Sequence, residues 1–75
     1  MDLRDTFAGN LRRLRNEKGL SQDDLAYTAG ISRGYLSQIE QGSFFVSLKI
    51  IGKLAETLKV EPEEFLKRRP KRWRG

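Results

Sequence analysis

The stretch SQDDLAYTAGISRGYLSQIE, Ser21 to Glu40, decides the fold. Ser21 is a helix-opening residue, and Asp24 three positions on makes a capping-box-like start, with Asp shorter than the usual Glu. Leu25, Ala26 and Ala29 then fall on one face at helical spacing. Gly30 stops that helix and Ser32 opens the next, whose inner stripe is Leu36 and Ile39. Helices over about Ser21 to Ala29 and Ser32 to Glu40 are joined only by Gly30-Ile31. So short a turn, with a buried aliphatic after the Gly, makes the two axes cross steeply, which is the helix-turn-helix arrangement.

The same punctuation repeats on either side, at Gly19-Leu20-Ser21, at Gly42 through Ser47, and at Val60-Glu61-Pro62. Phe7, Leu11 and Leu14 form a stripe before the quoted stretch. Leu48, Ile51, Leu54, Ala55 and Leu58 form the strongest one after it, and Phe65 and Leu66 a short last one. No β-branched alternating run competes. The reading is all-α: a compact five-helix bundle, with Pro62 in the first turn of the fifth helix. Within the fourth helix, Leu48, Ile51, Ala55 and Leu58 are expected in the core, Leu54 at its border and Ile50 off it. Residues 1–66 make one domain, and 67–75 a basic, disordered tail.

Composition excludes several function classes. The chain has 75 residues with no Cys and no His, so it offers no thiolate, imidazole base or disulfide, and no thiol or imidazole metal ligand. No pair or triad of residues points to catalysis, and no cofactor, metal or small-molecule ligand is expected. No apolar run approaches the roughly 20 residues of a membrane span, and the N-terminus lacks a signal-peptide core. The expectation is a soluble, cytoplasmic, nucleoid-associated protein. The formal charge of +5 comes from the tail: six of the fifteen basic residues lie in 67–75, leaving nine against ten acidic ones in 1–66, a net of −1. High pI therefore does not decide what the body binds.

The third helix carries the chemistry. Arg33, Gly34, Ser37, Gln38 and Gln41 share its outward stripe, with Tyr35 and Glu40 at the edges of the inward one. Arg can pair bidentately with guanine, Gln with adenine, and Ser with a base or a phosphate. Gly34 has no side chain and lets the backbone approach a groove. On residue chemistry alone, the face reads equally as a groove reader or as an ordinary solvated surface.

The order of residues adds a resemblance. The string LRRLRNEKGLSQDDLAYTAGISRGYLSQIEQG, Leu11 to Gly42, resembles the helix-turn-helix domain of the phage repressor and Cro family. SLKIIGKLAETLKVEPEEFL, Ser47 to Leu66, resembles that family's fourth and fifth helices. The likeness covers about residues 5 to 66. It implies a lambda-repressor-like domain that binds double-stranded DNA with its third helix in the major groove, as a homodimer on a pseudopalindromic operator. Gln22 matches a phosphate-contacting position. Ser32, Arg33, Gly34 and Gln38 match base-facing ones, with Tyr35 and Ser37 beside them; Arg33 and then Gln38 are the first candidates for base recognition. Arg15 and Glu40 match an internal salt bridge. The stretches GYLSQIEQG and VSLKIIGKL look like those of restriction-modification controller proteins. A prophage repressor, an antitoxin-type regulator and a protein-interaction module that kept the fold without DNA reading remain alternatives.

Phe44, Phe45 and Val46 stand where family members often hold polar or basic loop residues. One Phe is expected to staple the fourth helix. Phe44, Phe45, Ile50 and Leu54 are the candidates for a dimer interface. Trp73 and the basic tail read as an arm along phosphates, as a solubilising terminus, or as a contact for lipid or protein.

Overall fold

The computed structural model describes residues 2–68. Four α-helices follow one another: α1 (Leu3–Glu17), α2 (Gln22–Ala29), α3 (Arg33–Glu40) and α4 (Leu48–Leu58). A 3-10 turn, Pro62–Leu66, ends the order, and there is no strand among the described residues. Each helix opens on a residue whose side chain satisfies an orphan N–H. Asp2 accepts from the Arg4 N–H at 2.9 Å, and its carboxyl is held below the usual carboxylate range by hydrogen bonds from the Arg4 side chain and then backbone. Ser21 Oγ accepts from the Asp24 N–H at 3.0 Å and Asp24 accepts from the Ser21 N–H at 3.4 Å, closing the capping box. Ser32 caps α3 through the Tyr35 N–H, and Ser47 caps α4 through the Ile50 N–H.

The helix ends use left-handed residues that hand the last carbonyls to the chain beyond. After α3, Gly42 donates to Ile39 O and Ser43 to Gln38 O, with Gly42 at φ 79°. Gly42 is also crowded, since a Cβ built there would lie 2.7 Å from Asp5 Oδ1 on α1. After α4 no glycine is available, and Lys59 itself takes φ 57°. The position matters more to the chain than the residue that fills it.

One core joins all the elements. Phe7, Leu11 and Leu14 of α1 meet Leu25, Ala26 and Ala29 of α2, Leu36 and Ile39 of α3, Leu54, Ala55 and Leu58 of α4, and Phe65. The Phe7 and Phe65 rings lie 4.9 Å apart, tilted by 46°. Burying a side chain of this kind contributes about 1.5–3 kcal/mol, so Phe65 fastens the end of the chain to α1. Asn10 completes the attachment. It is 5% exposed, and its Nδ2 donates to Phe65 O at 2.7 Å and to Lys67 O at 2.8 Å.

Four expectations need correction. The fifth helix is a 3-10 turn: Pro62 has no N–H, Glu61 provides no side-chain cap, and Asn10 captures carbonyls a longer helix would need. Leu48 is 85% exposed rather than in the core, while Leu54, expected at the border, is fully buried. The helix is rotated so that positions 51, 54, 55 and 58 face inward, leaving Leu48 on the outer side of its first turn. Leu66 is also exposed, at 45%.

These backbone requirements predict opposite effects for two glycine changes. Gly52 lies inside α4 with open space around its Cβ position, so Gly52→Ala should stabilise by about 0.5–1 kcal/mol. Gly42→Ala should destabilise by about 1–2 kcal/mol, from its left-handed φ alone. Thermal unfolding followed by circular dichroism reads both: the first midpoint should rise and the second fall.

Candidate nucleic-acid interface

The face of α3 is held in place from behind by a single buried carboxylate. Glu40 is 3% exposed and receives Arg15 Nε on Oε2 at 2.7 Å, and Arg15 Nη2 on Oε1 at 3.1 Å. Gln22 Nε2 donates to the same Oε1 at 3.0 Å. Arg15 also donates to Leu20 O at 2.8 Å, and Arg12 donates to the backbone carbonyl of Glu40. The Arg15–Glu40 pair thus ties α1, the corner before α2, the first residue of α2 and the end of α3. The Arg15–Glu40 pair was legible in the motif. Arg12 caps the C-terminal end of α3; only the packing of α1 on α3 brings it there.

The outward stripe of α3 is open. Ser32, Arg33, Gly34, Gln38 and Gln41 are exposed, and Tyr35 and Ser37 half-buried. Ser32 presents a hydroxyl that already caps the helix, and Gln41 Nε2 donates to Ser37 Oγ at 3.5 Å. Nothing lies within 4 Å of a Cβ built on Gly34, so the helix backbone is bare there. Arg33 Nε lies 3.5 Å from Asp23 Oδ1, both side chains well exposed. Exposed pairs contribute about 0–1 kcal/mol, so Arg33 is free to change partner. Asp23 went unnoticed in the sequence because the pairing needs the α2–α3 crossing. Gln22 is half-buried, and its amide nitrogen is spent on Glu40. The N–H groups at the start of α2, rather than that nitrogen, are what this corner offers to an anion.

The loop after α3 is apolar and latched to α1. The Phe44 ring lies 5.7 Å from that of Tyr35, and the Arg4 guanidinium sits 4.4 Å over the ring of Phe45. The expected staple belongs to Val46, not to a Phe: Val46 precedes the cap Ser47 and is half-buried against the core together with Ile51, the fourth residue of α4. Of the residues expected at a dimer interface, Phe45 is 74% exposed and Phe44 39%, and Ile50 is partly buried against the core. Leu54 has no exposed surface and cannot contact a partner. Lys67 pairs with Glu64 at 3.1 Å; the rest of the expected arm, from residue 69 onward, lies outside the described residues. No helix among the described residues is long and apolar enough to cross a membrane.

The clamp predicts an asymmetry. Arg15→Met strands Glu40 with only the Gln22 amide, and should cost about 3–5 kcal/mol, as expected when one partner of a buried pair is removed. The double variant Arg15→Met with Glu40→Met should recover a large part of that loss. Urea unfolding of the two variants measures the difference, and equal stabilities would contradict the clamp.

Comparison with known proteins agrees with this geometry. Residues 11–65 match the family model described as helix-turn-helix. The chain is 36% identical over 66 residues to the HTH-type transcriptional regulator y4dJ of Sinorhizobium fredii, covering 88% of this chain and 86% of that protein. It is 36% identical to the control protein C.BamHI of Bacillus amyloliquefaciens, covering 87% and 82% of the two chains. The crystal structure of the restriction-modification controller protein C.AhdI from Aeromonas hydrophila superposes with a TM-score of 0.80 at 45% identity, over 83% of this chain and 94% of that one. The chain therefore belongs to the helix-turn-helix family of phage-repressor type, a family of DNA-binding transcription regulators.

Proposed function

We propose that this protein is a sequence-specific regulator of the restriction-modification controller kind, acting as a dimer on a pseudopalindromic operator with α3 in the major groove. The observation that carries the reading is the strip of Arg33, Gly34, Gln38 and Gln41. It is solvent-open, rich in groups that donate and accept, and backed by a buried clamp that fixes its direction. Arg33 leaves Asp23 to reach a guanine edge, Gln38 reads a neighbouring base, and bare Gly34 lets the helix seat deeply. Ser32, Ser37 and Tyr35 flank the strip and reach phosphates, and the start of α2 with Gln22 abuts the backbone. The C-terminal basic residues 67–75 add phosphate contacts as an arm. The domain of residues 1–66 has a net charge of −1. One copy is therefore a weak binder, and two copies on half-sites about one helical turn apart are needed.

Selection of bound sequences from a random duplex pool tests the reading, since a recovered palindrome gives site and symmetry together. On that site Arg33→Ala should cost about 1–3 kcal/mol and relax preference at one base position. Gly34→Gln should weaken binding while raising helix stability, separating docking from folding. A second reading, an interaction module without DNA recognition, is favoured by Asp23, whose carboxylate occupies the one cation between residues 21 and 48. Failure of the pool to enrich any sequence at low salt would select it.

In this reading the partner face is the apolar loop with Ile50, and Phe45 is its centre. Phe45→Ala should weaken dimerisation by about tenfold or more, equivalent to about 1.4 kcal/mol. Monomer unfolding should hardly change, because that ring is already largely outside the core. Sedimentation equilibrium measures the first and thermal unfolding at low concentration the second.

A further inference from the structure

An apolar cleft of about 170 Å³ opens between the first turns of α1, the loop after α3 and the end of the 3-10 turn. Leu3, Phe7, Phe44, Val46, Ile51 and Leu66 line it, with Phe45 and Arg4 at its walls. A cavity of about 150 Å³ with similar walls is enough for a benzene ring. Leu3 is 54% and Leu66 45% exposed, so apolar surface is left uncovered. We propose that its occupant is Trp73 of the same chain.

Three observations point to that occupant. The chain leaves the described structure from the cleft itself, since Leu66 is part of the wall and the description ends two residues later at Arg68. The exit is directed: buried Asn10 pins the carbonyls of Phe65 and Lys67, and Glu64 draws back the Lys67 ammonium at 3.1 Å. Seven residue steps lead from Leu66 to Trp73. At about 3.3–3.6 Å per residue they span up to about 25 Å, ample for a return to the cleft. Charge points the same way. Residues 67–75 carry six cations and no anion, against a body of net −1. Arg4 at the wall is already matched by Asp2 at 2.8 Å and presents little repulsion to the arriving segment. Of the apolar residues in 67–75, Trp73 alone is aromatic, and it is the ring the cleft can hold. Most of the Phe45 surface stays outside the cleft, so the seat does not compete with a partner contact through that ring. The seat is that of the DNA-free protein, so it stands apart from the phosphate contacts proposed for residues 67–75.

Trp73 is the single tryptophan of the chain, so its fluorescence reports the seat directly. In the full-length protein its emission should be blue-shifted, and acrylamide quenching should be several-fold weaker than in a peptide of residues 67–75. Leu3→Gln combined with Leu66→Gln should return both readings to the peptide values. Circular dichroism should show an intact helical body, because both side chains are already substantially exposed. Peptide-like emission in the unaltered protein would overturn the proposal. So would a blue shift that survives the double substitution, which would place the indole elsewhere. A shift that disappears on dilution below the dimer range would assign the seat to a second copy and equally overturn the same-chain assignment.

Discussion

The carboxylate of Glu40 is the interaction on which the rest of this molecule depends. Burying an ionised group costs several kcal/mol unless its lone pairs are matched. Here they are, by both arms of Arg15 and by Gln22. The arrangement does more than offset a cost. Because its partners come from α1 and from the start of α2, the pair fixes the end of α3 against both. Hydrophobic contact between Leu36, Ile39 and the core would hold α3 down but allow it to slide or rotate. A bidentate ion pair specifies orientation as well as proximity. For a helix proposed to present a few side chains along a groove, direction is the property that has to be secured.

That constraint explains the division of labour around α3. Its buried edge is rigidified by charge, its caps by Ser32 and the Gly42 turn, and its outer edge is left without strong partners. The Arg33–Asp23 pair is of the exposed kind that exchanges readily. The loop that follows is held differently, by a cation over an aromatic ring and by aromatic contact with Tyr35. It thus connects α3 to the apolar cleft and to the first turn of α1, although it carries no charged side chain of its own.

Much of the architecture was legible in the chain. Serines and glycines at fixed offsets marked the starts and stops because they act through backbone groups one to three residues away, a range the sequence resolves. The stripes of α1, α2 and α3 were legible because each short helix buries a single face. The fourth helix was not: with Leu48, Ile50, Ile51 and Leu54 all apolar, two rotations fit the pattern equally, and only packing chose between them. The last helix was misjudged because its shortening depends on Asn10, fifty-five residues away from the carbonyl it captures.

By itself, then, the sequence determined the boundaries of α2 and α3 and which residues of α3 face outward, since these follow from local periodicity and local capping. The tertiary structure alone decided that Arg12 and Gln22 serve the clamp, that Asp23 attends Arg33, that Leu54 is core while Leu48 is surface, and that Arg4 covers Phe45. Each of these is a meeting of side chains from different elements. Their separation is set by how the helices pack, a quantity that spacing along one chain does not contain.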